Sequence, residues 1–184
     1  ILFSTVSFVL SSFTEPNTGW SYTQVTEQTF YIFISPINII TESGILIEGF
    51  GDGCHPLSCN DELDSYCLSN PDACDVIGAF VTRDIDEQTC AQIEGDYIDG
   101  QCDVCVGWNY YNSENPSANG LISTSLAVMG YETGPESTYY CNGAEIPKLK
   151  FYDSSTSITY TLYANNELEL CSNNGIFLYD SDCI

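Results

Sequence analysis

Seven short runs do most to limit what this chain can fold into. TQVTEQTFYIFI, GILIEGF, DVIGAFV, LISTSLAVMG, LKFYD, SITYTLYA and GIFLYD are rich in Val, Ile, Thr, Tyr and Phe, and clusters of Gly, Asn, Pro, Ser and Asp separate them. β-Branched and aromatic residues suit a pleated, half-buried surface, and the separating residues favour turns. Helical periodicity does not persist over a full window; the best candidate is a single turn in NDELDSYCL, with Asn60 as cap and Glu62 in the first turn. The expectation is an all-β chain, a disulfide-rich antiparallel β-sandwich of Ig-like or jelly-roll-like type with little helix. The pairs Asn119-Gly120, Asn142-Gly143 and Asn174-Gly175 mark tight turns at three strand junctions, because both residues tolerate positive φ. In DVIGAFV, Ile77, Ala79 and Val81 alternate with Val76, Gly78 and Phe80, so both faces are apolar. That pattern predicts a central strand packed on two sides or against an inserted segment, with Gly78 admitting a neighbouring backbone.

At 184 residues the chain can build one domain with a real core. Its ten cysteines, Cys54, Cys59, Cys67, Cys74, Cys90, Cys102, Cys105, Cys141, Cys171 and Cys183, are an even number that paired disulfides explain, which implies an oxidising, secreted setting. Four of them and the one histidine, His55, crowd into GDGCHPLSCNDELDSYCLSNPDACD at 51–75. Those spacings match no zinc pattern of facing knuckles, and Cys102-x-x-Cys105 lacks the helix start of a redox motif. All ten are read as disulfide cysteines, with proximity favouring closure within 54–74 and between Cys171 and Cys183.

The formal charge is −23, from 26 acidic residues against Arg83, Lys148 and Lys150, and it repels phosphate backbones and anionic lipid. Nucleic acid is excluded as a partner. Apolar runs are broken within about ten residues, short of the roughly 20 that a membrane helix needs. The opening ILFSTVSFVLSSFTEP lacks a basic segment and a small-residue cleavage site, so it reads as mature sequence. Oxygen ligands are plentiful in GDG at 51–53, NDELD at 60–64 and RDIDE at 83–87, and Asp52, Asp61 and Asp64 are the candidate calcium ligands. No EF-hand spacing occurs, so no cofactor is required and a structural calcium is the metal these residues allow. Catalytic signatures are missing: there is no nucleophile elbow or phosphate loop, and three basic residues leave little to stabilise an oxyanion.

From Trp20 onward, DVIGAFV, CVGW and EIPKLKFYD follow in an order that resembles a β-sandwich module repeated in secreted and cell-surface bacterial proteins. The cysteine-rich segment before Asp75 and the stretch from Val81 to Cys102 are insertions relative to that pattern. Residues 1–15 precede the module as an extension strand, with residues 16–184 as the single domain and its cysteine-rich insertion at about 51–75. Leu2, Val6, Phe8 and Leu10 share one alternating face, and Pro16, Asn17 and Gly19 follow as a hinge. This arrangement resembles subunits of donor-strand, pilus-like filaments, in which each copy completes its neighbour. The resemblance implies a structural, non-enzymatic subunit of an extracellular fibre whose partners are other copies of itself, joined through Leu2, Val6, Phe8 and Leu10.

The other reading is a secreted or surface-anchored module for carbohydrate or another polymer, with or without calcium. Trp20 and Trp108 are read first as core anchors and second as sugar platforms. Of Tyr110-Tyr111 and of Tyr139-Tyr140, one residue each is expected on the surface, free for a partner or glycan. No Asn-x-Ser/Thr sequon without proline is present, so any attached glycan would sit on Ser or Thr.

Overall fold

A computed structural model describes residues 11–34, 67, 69–111, 123–163, 168–172 and 174–179, and the backbone of 39–40 and 46–47. The described strands are β1 (Ser12–Thr14), β2 (Ser21–Thr23), β3 (Gln28–Ile34), β4 (Ile39–Ile40), β5 (Leu46–Ile47), β6 (Val76–Arg83), β7 (Asp96–Ile98), β8 (Gln101–Tyr110), β9 (Ser123–Met129), β10 (Lys148–Asp153), β11 (Ile158–Leu162) and β12 (Ile176–Tyr179). They form a five-stranded sheet in the order β11-β10-β6-β8-β7, a three-stranded sheet β12-β3-β9, and the two-stranded pairs β1-β2 and β4-β5. Each of the seven expected runs contains a strand or part of one. The purely antiparallel expectation needs one correction: β12 runs parallel to β3, with Ile176 opposite Phe30 and Tyr179 opposite Phe33.

β6 is central, as its two apolar faces imply, and its first six residues are all buried. One face, with Ile77, Ala79 and Val81, joins Val104 and Val106 of β8 and Leu149 and Phe151 of β10. It packs against Tyr31 and Phe33 of β3, Leu126 and Val128 of β9, and Tyr179 of β12. The other face, with Val76 and Phe80, meets Trp20 and the disulfide Cys67–Cys74, so the described end of the cysteine-rich segment covers the outer side of the sheet. Gly78 admits a ring and not a backbone: a Cβ there would lie 2.8 Å from both the Trp20 and the Phe80 rings. Trp20 is therefore the core anchor expected of it. Gly107 is the true backbone crossing, where a Cβ would fall on the Ala127 carbonyl of β9.

β8 exceeds the CVGW fragment visible in the sequence, because Asp103, Gly107 and Asn109 interrupt its apolar pattern. Opposite Ala79 and Phe80 its register shifts by one residue, a β-bulge that takes up Val106. Three residues apart, Cys102 and Cys105 face opposite sides, which removes any dithiol pairing. Cys102 bonds Cys90 in the inter-sheet core, while Cys105 lies on the outer face. The short helix α1 (Glu87–Gln92) supplies Cys90; Asp86, placed among the possible calcium loops, instead caps this helix by accepting from the Thr89 amide at 2.9 Å.

Two disulfide expectations are overturned. Cys171 bonds Cys141 and not Cys183, because the turn at Asn142 brings Glu145 alongside, where its carbonyl accepts from the Cys171 amide at 2.8 Å. Cys105 is buried and makes no disulfide, so the ten cysteines are not all paired. Cys54, Cys59 and Cys183 lie outside the described residues, as does Asn119-Gly120. Turns do form at the other two Asn-Gly pairs: the Glu145 amide donates to the Asn142 carbonyl at 3.0 Å, and Asn174 takes φ +57° immediately before β12. Tyr110 and Tyr111 are 1% and 2% exposed, against the expectation that one would be free: Tyr110 ends β8 in the outer cluster, and Tyr111, just past it, packs edge-on to Phe151 in the inter-sheet core.

Candidate functional site

The stretch TEPNTGW, expected to be a hinge, is a clamped hairpin turn. Glu15 is completely buried, and its Oε2 accepts from the amides of Asn17 (3.0 Å) and Thr18 (2.6 Å) and from the Thr18 hydroxyl (2.7 Å). The Glu15 amide donates to the Trp20 carbonyl, the Gly19 amide donates back to Glu15, and Gly19 sits at φ +72°, which glycine adopts without strain. This turn pairs Ser12 with Thr23, Phe13 with Tyr22 and Thr14 with Ser21. The described end of the 1–15 segment thus pairs within its own chain, and Leu2, Val6, Phe8 and Leu10 lie outside the described residues.

Directly opposite each other, Phe13 and Tyr22 stack with centroids 5.5 Å apart and planes 23° apart. Trp108, on the outer face of β8, stands edge-on to Tyr22 at 76° and to Tyr110 at 74°. Its indole Nε1 donates to the Phe13 carbonyl at 3.2 Å, fixing the hairpin over the end of β8. From β8, Asn109 Nδ2 reaches the Ser125 carbonyl of β9 at 2.7 Å, while Phe30 and Ala127 are opposite one another across β3 and β9. Together these groups enclose a cleft of about 550 Å3, with Ser12, Thr14, Asn109 and Ser125 supplying polar groups among the rings. The described residues that line it carry no charged side chain.

A second layer holds the hairpin from behind. Arg83 forms a two-pronged pair with Glu145, both contacts at 2.8 Å, and donates to the carbonyls of Tyr139 and Tyr140. The Tyr140 hydroxyl in turn accepts from the Thr23 amide of β2 at 2.6 Å. Burial raises the Glu145 carboxyl, but the Arg83 guanidinium and the Asn142 amide outweigh it and hold the group below the usual range.

The two lysines are also engaged. Lys150 lies 4.3 Å over the Phe80 ring and 3.0 Å from Asp103, whose other oxygen is 3.4 Å from Lys148. Burial raises Asp103 as well, yet Thr82 and the two lysines hold it below the ordinary carboxylate range. Arg83, Lys148 and Lys150 are therefore each paired with a carboxylate, and none of the three lines the aromatic cleft.

Other chemistry has little to build on among the described residues. Burial pushes the Cys105 thiol up to about 12, and its sulfur faces the Gly107 carbonyl at 3.6 Å, so it is a packed side chain and not a nucleophile. No three metal-ligating side chains converge among the described residues, and Asp52, Asp61, Asp64 and His55 lie outside them. No described helix is long and apolar enough to cross a membrane. Trp108 was legible in the sequence as a platform candidate; Phe13 and Tyr22 were not, since their meeting depends on the register set by Glu15. Comparison with protein-family models, curated proteins and solved structures gave no match to this chain.

Proposed function

We propose that this chain is an extracellular β-sandwich binding module that holds a carbohydrate or related surface polymer in the cleft between Phe13, Tyr22 and Trp108. One observation carries the reading: a chain of formal charge −23 folds a ring-lined cleft of about 550 Å3, with no charged side chain among its described lining residues, between its hairpin and β8. That volume falls within the roughly 300–1,000 Å3 typical of small-ligand sites, which combine apolar walls with a few placed polar groups. The C–H faces of a sugar ring pack on aromatic faces, and its hydroxyls pair with Ser and Thr side chains. The three disulfides among the described residues fit an oxidising exterior, and two sheets sharing one core fit a sandwich. The bound polymer is a ligand and not a substrate in this reading. Trp108→Ala and Phe13→Ala should each weaken glycan binding in titration calorimetry while leaving the melting transition cooperative; full-affinity binding by both variants would refute it.

The filament reading keeps one supporting observation. Among the described strands β12 ends its sheet, and Ile176 and Leu178 are 64% and 66% exposed, a place where a strand of another copy could add. Because β1 pairs within its own chain, this reading places the exchange on the segment before it, residues 1–10. Deleting residues 1–10 should abolish polymerisation if this reading holds, as judged by sedimentation. A full-length chain that sediments as a monomer at high concentration discards it.

A further inference from the structure

We infer that the cleft takes a single soluble chain of an uncharged polysaccharide, and rejects both anionic glycans and flat crystalline polymer. The inference rests on the binding reading above and specifies its ligand class. Two observations carry it.

The first is charge. The net charge is −23, and Arg83 of β6 and Lys148 and Lys150 of β10 are committed to the carboxylates of Glu145 and of Asp103 on β8, outside the described lining of the cleft. An incoming uronate or sulfate would meet a repulsive field screened over about 8 Å at physiological salt, and no described side chain in the cleft would neutralise it. A neutral sugar experiences no such repulsion and needs what the cleft provides: ring faces and the hydroxyls of Ser12, Thr14 and Ser125.

The second is the orientation of the rings. A flat crystalline face is matched by rings lying in one plane along an open surface. Here Phe13 and Tyr22 stack on each other, and Trp108 is turned 76° from Tyr22, so ring faces and edges meet at a corner. A corner clasps one chain from two sides. Phe13, 40% exposed, forms the outer lip, while Tyr110 is buried at the base.

The test uses the full-length oxidised protein in affinity electrophoresis, with hits quantified by calorimetry at low and high salt. Probes are the neutral soluble glycans laminarin, mannan and xyloglucan, the anionic polymers alginate and polygalacturonate, and powdered cellulose and chitin. Binding to at least one neutral soluble glycan is expected, insensitive to salt, and reduced roughly tenfold or more by Trp108→Ala, as for a central aromatic contact. Should Trp108→Ala fail to fold, Phe13→Ala at the exposed lip gives the same readout. Cleft-dependent binding of an anionic polymer, or of crystalline polymer alone, overturns the inference while the binding reading stands. Absence of any glycan binding that depends on Phe13 or Trp108 overturns both.

Discussion

Glu15 has no exposed surface, and three donors converge on one of its carboxylate oxygens. Hydrogen bonds to a charged acceptor are worth about 1.5–3 kcal/mol each, although the half-exposed donors of Asn17 and Thr18 recover part of that from water. Glu15→Ala should therefore lower stability by about 2 kcal/mol or more, with Glu15→Gln intermediate, as measured by denaturant unfolding. The substitution should also weaken glycan binding, because Phe13 and Tyr22 owe their stacking to the register this turn imposes. A variant with unchanged stability would show that the turn holds without its clamp. Before a proline, in Ser- and Thr-rich sequence, a lone glutamate looks like solvated loop. Nothing in its neighbours marks it as buried.

At the scale of strands and their staples, the pairing of cysteines decides how much each loop contributes. Cys141–Cys171 spans 30 residues and Cys67–Cys74 spans 7. On the chain-entropy rule the first stabilises by about 3.6 kcal/mol and the second by about 2.4 kcal/mol. Replacing both cysteines by serine in each pair should destabilise the longer loop more, and denaturant midpoints of the two variants check the order. The reverse order would mean that packing of Cys67–Cys74 on β6 outweighs loop closure. The strand runs were legible because alternation and turn residues are local signals, and β6 revealed even its two-sided burial. β8 was not, since its Gly107 serves a crossing with β9 that only the assembled sheets create. The Cys141–Cys171 bond and the parallel placement of β12 were equally hidden. Both follow from long-range packing, which spacing along the chain does not encode.

Over the whole molecule, 26 acidic residues face only Arg83, Lys148 and Lys150, so the pairs these three make matter more than surface pairs usually do. Lys150 and Asp103 pair at 3.0 Å, and removing Asp103 leaves Lys150 only the more distant, exposed Asp96 at 3.7 Å, so the loss should approach but fall short of the about 3–5 kcal/mol of a fully buried pair. The folded Asp103 carboxyl is held below its ordinary range, so its contribution is complete above the unfolded pKa of about 4. It is lost as pH falls through the lower folded value. Asp103→Asn should accordingly destabilise strongly at pH 7 and much less in strong acid, where the wild type has lost the same charge. An equal deficit at both pH values, read by thermal melting, would contradict this assignment. The parallel pair β3 and β12 has a further, mechanical consequence. Tension entering β3 from the N-terminal side and leaving β12 on the C-terminal side pulls the two strands along their lengths in opposite directions, in shear. The backbone bonds from Phe30–Ile176 to Phe33–Tyr179 then bear load together instead of parting one at a time. Loaded in this way, the domain would resist being drawn open at the β3–β12 seam.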